Sequence, residues 1–113
     1  MPKLQILKIQ NIDEITGSGL GGFYNLRKLN CSFCFSLKDD GLMSLLRCTN
    51  NLELLDIQCC FNITNSLIDF AIAVTKNRKN NVVLIIYMRD TSINFGKIEE
   101  NSPLLYLSMY QNL

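Results

Sequence analysis

Cysteines are the residues of this chain whose type and spacing are best suited to chemistry. Five are present, at positions 31, 34, 48, 59 and 60. Cys31 and Cys34 form a C-x-x-C pair, and Cys59 is adjacent to Cys60. Such pairs ligate structural zinc when their thiolates converge in space. The alternative is a column of buried thiols at equivalent positions of a repeat. We favour the column and expect no bound metal.

Other catalytic groups are scarce. Histidine, the commonest general base and metal ligand, is absent, so hydrolases with a histidine-containing triad are excluded. Asp39 and Asp40 lie where a helix is expected to begin, and we interpret them as capping carboxylates rather than an acid–base pair. The glycine-rich segment 17–22 lacks the Gly-Lys-Ser/Thr of a phosphate loop. We therefore predict no catalytic residues, no cofactor and no enzyme activity.

Composition indicates one folded domain over residues 1–113. Apolar residues make up 48% of the chain, and charged residues 19%, which is too apolar for a disordered segment. The net charge of +1 argues against a nucleic-acid partner. No apolar stretch approaches the ~20 residues that span a bilayer, so we expect no membrane association. The amino-terminal segment does not resemble a signal peptide. A cytoplasmic or nuclear location with reduced thiols is the expectation.

One phrase recurs along the chain: an apolar residue, two others, an apolar residue, one other and a final apolar residue. It occurs as LQILKI, LRKLNC, LELLDI, VVLIIY and LLYLSM, starting near positions 4, 26, 52, 82 and 104. The spacings are 22, 26, 30 and 22 residues. Leucine-rich repeats have periods of roughly 20–29 residues, so three spacings fall inside that range and one just above it.

The phrase has a simple structural interpretation. Its last two apolar residues alternate with period two and would point inward from a short strand. Two return segments read as amphipathic helices, one over 39–48 and one beginning at Thr64 or Asn65. The sequence therefore predicts an α/β fold. Specifically, it predicts a leucine-rich-repeat solenoid, a right-handed βα superhelix of about five short repeats with a parallel sheet on its concave side.

The second and third repeats resemble the cysteine-containing leucine-rich repeat. Cys34 and Cys60 match its turn cysteine, Cys48 matches its helix-end cysteine, and Cys31 is an inward strand position. This subtype is similar to the repeat region of F-box proteins, where an F-box recruits a ubiquitin ligase and the repeats hold the substrate. The resemblance implies a substrate-recognition module. Its repeat cysteines would be structural, and its exposed sheet would hold the substrate.

The phrase begins at about Leu4, which leaves no room for an F-box in this sequence. The chain is therefore either a fragment of a longer protein or an F-box-free structural adaptor that works through the ends of its solenoid. Uncapped ends of this kind would also allow a homodimer.

The residues between the inward positions would form the concave face and contact a protein partner. Its apolar part predicts six anchors: Leu54, Leu84, Ile86, Met88, Tyr106 and Tyr110. The alternative is that the fourth strand is buried on both faces, or that its register is shifted by one residue. Cys59 has no place in the repeat, and we expect it to be the most reactive thiol if it is exposed.

Overall fold

The computed structural model describes residues 3–109, and its centre is one five-stranded parallel sheet. The strands lie side by side in chain order. They are β1 (Ile6–Lys8), β2 (Lys28–Asn30), β3 (Leu54–Asp56), β4 (Leu84–Tyr87) and β5 (Leu105–Ser108). The predicted α/β class and parallel sheet are confirmed. A parallel neighbour requires the chain to return to the start of the sheet after every strand.

Two of the four return segments contain an α-helix. These are α1 (Asp39–Cys48) and α2 (Asn65–Lys76), as the apolar periodicity predicts. The other two contain 3-10 turns, Leu20–Gly22 and Phe95–Lys97. The first of these lies within the glycine-rich segment 17–22, and glycine disfavours a longer helix there. One face of each α-helix is buried, so the sheet has one covered face and one open face.

The core lies between the helices and the covered face of the sheet. Leu29 pairs with Leu55 and Leu55 with Ile86 in the strand register, and all three side chains are fully buried. Leucines of α1 and α2 complete this layer, including Leu45 and Leu67. Burial of about twenty aliphatic and thiol side chains in one cluster supplies the main favourable free energy of folding.

The start of each helix is tied to the neighbouring return segment. Thr64 is the N-cap of α2, and its hydroxyl accepts a hydrogen bond from the Ser66 N–H. The Asp39 carboxylate accepts from the backbone N–H and the hydroxyl of Thr64. The expectation that Asp39 caps its own helix is therefore wrong, because the N-cap position of α1 is Lys38 and Asp39 binds the next return segment instead.

The return segment after β1 lies directly against α1. A Cβ on Gly41 would be 2.5 Å from the Gly17 Cα, and Gly17 itself has a φ of +96°. Since real Cβ atoms do not approach backbone so closely, both positions require glycine. This contact closes the first turn of the chain onto the core.

Candidate interaction surface

The fourth strand has a different register from the one that its sequence suggests. Leu54 pairs with Ile85, so the fourth repeat begins one residue later than the phrase in VVLIIY implies. A left-handed residue follows β1, β2, β3 and β4, at Asn11, Phe33, Cys59 and Asp90 respectively. These positions are 22, 26 and 31 residues apart, which is the spacing expected if the repeats start at 4, 26, 52 and 83.

Three predicted anchors are consequently wrong. Leu84, Ile86 and Met88 point into the core, and each is no more than 1% exposed. The cause is the run from Val82 to Met88, in which nearly every residue is apolar. In such a run, apolar and polar residues do not alternate, so the sequence does not show which side chains face the core. A shift of one residue then moves every side chain to the other face of the strand. The open face of β4 instead carries Ile85 and Tyr87, both partly exposed.

The open face carries a row of side chains that crosses all five strands in register. The row contains Ile6, Lys28, Leu54, Ile85 and Tyr106, in strand order. The predicted anchors Leu54 and Tyr106 therefore lie in it, while Tyr110 is outside the described residues. Ile6 is 53% exposed and Tyr106 57%, and Leu54 and Ile85 between them are partly exposed. Four apolar side chains thus share one accessible line across the sheet.

A second row on the same face is polar and held by its own hydrogen bonds. The Asp56 carboxylate is buried, and both of its oxygens accept from the Gln58 side-chain amide. On the neighbouring strand, the side-chain oxygen Oδ1 of Asn30 accepts from the backbone N–H and the hydroxyl of Ser32. These local bonds fix the polar side chains, so the apolar row lies beside a preorganised polar one.

Three phenylalanines lie on the edge where the strands end, and sequence reasoning missed them. Phe33, Phe35 and Phe61 are between 40% and 53% exposed. The rings of Phe35 and Phe61 stack with their centroids 5.3 Å apart and nearly parallel planes. The available signal was the recurrence of Cys-Phe at 34–35 and 60–61. These rings extend the exposed apolar surface beyond the strands.

The repeat cysteines form hydrogen bonds between successive repeats. The Cys34 thiol donates to the carbonyl of Ile9 at 2.9 Å, and the Cys60 thiol donates to the carbonyl of Cys31 at 3.1 Å. Cys31 is buried between them and donates to the carbonyl of Asp56. Contact with Cys60, together with burial, raises the pKa of the Cys31 thiol. Cys31, Cys34 and Cys60 are all fully buried, so limited access keeps their thiols from reacting.

The remaining two cysteines, Cys48 and Cys59, differ in exposure from what the sequence suggests. Cys59 is 7% exposed, and burial together with the charge of Asp90 raises the pKa of its thiol, so the exposure on which its expected reactivity depended is not found. Cys59 occupies the left-handed position after β3, where Asn11, Phe33 and Asp90 stand after the other strands. Cys48, at the end of α1, is exposed.

We therefore expect Cys48 to react first with a thiol reagent. Under native conditions, dithionitrobenzoate should label one thiol rapidly and the other four at the rate of opening of the fold, because access limits their reaction. Cys48→Ser should abolish the rapid phase, and Cys59→Ser should leave it unchanged. A rapid phase that is lost in Cys59→Ser instead would contradict the placement of both thiols.

No cluster of three or more cysteine or acidic side chains suited to a metal ion exists within residues 3–109. A groove of about 950 Å³ lies along the edge where the strands begin. Its lining mixes polar side chains with Val82, Val83 and Ile85, and it includes the ion pair of Arg27 and Glu53. An open groove of mixed lining differs from the concave, mainly apolar pockets that usually hold small molecules. Over the same range of the chain, no helix has the length and apolar character needed to cross a membrane.

Comparison of the chain with protein-family models, with curated proteins and with solved structures finds no significant match.

Proposed function

We propose that this chain is a short solenoid of the leucine-rich-repeat type that recognises a protein partner through the open face of its sheet. The observation that carries the proposal is the row in which Ile6, Leu54, Ile85 and Tyr106 lie accessible and in register. Apolar side chains left exposed along a rigid sheet are typical of interaction surfaces. Tyrosine in particular is enriched among the residues that dominate binding energy.

Equivalent contacts in successive repeats support the solenoid part of the proposal. Cys34 and Cys60 make the same bond to the preceding repeat, and Asp39 and Asn65 each bind the backbone of the following one. Contacts that recur between neighbouring units are the basis of solenoid architecture. Because the helices cover one face of the sheet, the opposite face is left for binding.

The proposal is tested by placing a photoreactive side chain on the row. Benzoylphenylalanine in place of Tyr106 should cross-link to a discrete protein in an extract of the native cell, because position 106 lies at the exposed end of the row. Ile85→Asp in the same chain should abolish the cross-link by introducing a charge into the apolar contact. The matched control is benzoylphenylalanine at Tyr24, which is 50% exposed but lies on a return segment.

Cross-links that form equally from positions 24 and 106, or that survive Ile85→Asp, would contradict recognition through the open face. A cross-link from position 106 to a second copy of the chain would indicate self-assembly rather than partner recognition.

The resemblance to F-box proteins adds a narrower role, in which the recognised partner is a substrate for ubiquitination. That role requires an F-box encoded in frame with these repeats. The transcript upstream of the Met1 codon is the place to examine, and an authentic start at Met1 would argue for an adaptor instead.

A further inference from the structure

The open face has a positively charged end. Lys8 on β1 and Lys28 on β2 are exposed there, and within residues 3–109 neither forms an ion pair. Glu53 is close enough to feel the charge of Lys28, but it already binds Arg27. The hydrogen bond from Arg27 lowers the pKa of Glu53, and the charge of Lys28 lowers it further. Two cations share one carboxylate, so this end of the sheet retains positive charge.

The acidic residue on the face does not neutralise the two lysines. Asp56 is 2% exposed, and its oxygens are occupied by the side-chain amide and the backbone N–H of Gln58. Two strands away from β2, the Arg89 guanidinium lies 3.7 Å from the Asp90 carboxylate, and this ion pair adds no net charge to the face. The accessible charge of the face is therefore positive and is concentrated on β1 and β2.

The other end of the face is apolar. Leu54, Ile85 and Tyr106 occupy consecutive strands β3, β4 and β5 in the same row as Lys28. Parallel strands are about 4.8 Å apart, so Lys28 and Tyr106 are separated by about 14 Å across the sheet. An extended peptide advances about 3.3 Å per residue and covers that distance in about four residues.

We propose that the open face binds an extended acidic segment of a partner protein, which crosses the strands with its carboxylate over Lys8 and Lys28 and its apolar side chains over Ile85 and Tyr106. This inference rests on the proposed function and specifies its partner. The geometry places an acidic residue and an aromatic or aliphatic residue about four positions apart in the bound segment. Charge complementarity of this kind selects partners and increases the rate of association.

The test is selection of a displayed random-peptide library on the full chain. Peptides that bind should combine Asp or Glu with an apolar residue at the stated separation. The same library selected on the double variant Lys8→Glu/Lys28→Glu should return Lys or Arg in place of the acid. A variant with Lys79→Glu, exposed after α2, is the matched control and should select the same peptides as the parent chain.

Affinity measurements with one synthetic peptide from the parent selection make the test quantitative. The double charge reversal should weaken binding about tenfold or more, and added salt should weaken binding to the parent chain, because the contact is solvent-accessible. Ile85→Asp should abolish binding, whereas Lys79→Glu should leave the affinity unchanged.

The other outcomes separate the two proposals. Peptides that lack acidic residues, or that bind the double variant equally well, while still depending on Ile85, would overturn the acidic segment and leave recognition through the open face standing. Peptides that bind independently of both Ile85 and the lysines would overturn both. If no peptide is enriched, the proposal of an extended acidic segment is wrong. Recognition through the open face is then tested by the cross-linking from position 106 alone.

Discussion

Replacing Ile86 with aspartate is expected to unfold the protein, whereas the same change at the adjacent Ile85 should leave the fold intact. The Ile86 side chain is fully buried between the strand positions Leu55 and Leu107. A carboxylate there would have no partner in an apolar layer and would cost about 4 kcal/mol or more. That is a large fraction of the about 5–15 kcal/mol that stabilises a typical folded domain. Ile85 lies on the open face, where water can solvate the new charge.

The pair is measured by far-ultraviolet circular dichroism and urea unfolding. Ile86→Asp should lose the helical signal in buffer. Ile85→Asp should remain folded, with a free energy of unfolding within about 1 kcal/mol of that of the parent chain. The reverse result, a folded Ile86→Asp and an unfolded Ile85→Asp, would show that β4 has the register suggested by its sequence. Because the two positions are neighbours with identical side chains, no difference of chemistry can account for the outcome.

Gly41→Ala is expected to destabilise the protein, although alanine normally favours a helix over glycine by about 1 kcal/mol. The added Cβ would lie 2.5 Å from the Gly17 Cα, so the return segment after β1 must move away from α1. Overpacking against backbone costs about 1–3 kcal/mol net. The sign of the effect therefore separates tertiary contact from helix propensity.

The control for this prediction is Gly22→Ala. An added Cβ at Gly22 meets nothing within 4 Å, so its effect should stay within about 0.5 kcal/mol. Urea unfolding of both variants provides the comparison. Stabilisation by Gly41→Ala would show that Gly17 and Gly41 do not approach each other as described.

Much of the architecture can be predicted from local pattern alone. The periodicity of Leu42, Leu45 and Leu46 predicts α1, and the structure begins and ends that helix at the expected residues. The polar residues after Ile63 predict that either Thr64 or Asn65 caps α2, and in the structure the cap is Thr64. Both predictions depend on a contrast between apolar and polar positions. Burial of the apolar side stabilises the helix, so the pattern indicates where the helix forms. The parallel sheet follows because similar strands alternate with return segments.

The interaction surface is less predictable for the same physical reason. Leu54 and Tyr106 alternate with neighbours of contrasting burial, and they lie on the predicted face. The fourth strand is apolar at nearly every position, so both registers bury similar side chains, and its sequence predicted the wrong face. The edge phenylalanines are likewise hidden in the sequence, because an aromatic residue gives the same signal whether it is buried or exposed.

The sequence by itself determined the α/β class, the number and order of the strands, and the positions of both helices, since each depends on local contrast between apolar and polar residues. Only the tertiary structure decided which face of β4 is open, which of Cys48 and Cys59 is accessible, and where the Asp39 carboxylate binds. Each of these depends on how one repeat packs on the next. A shift of one residue in the loop before β4 changes nothing in the local sequence pattern, but it exchanges Ile86 for Ile85 on the surface.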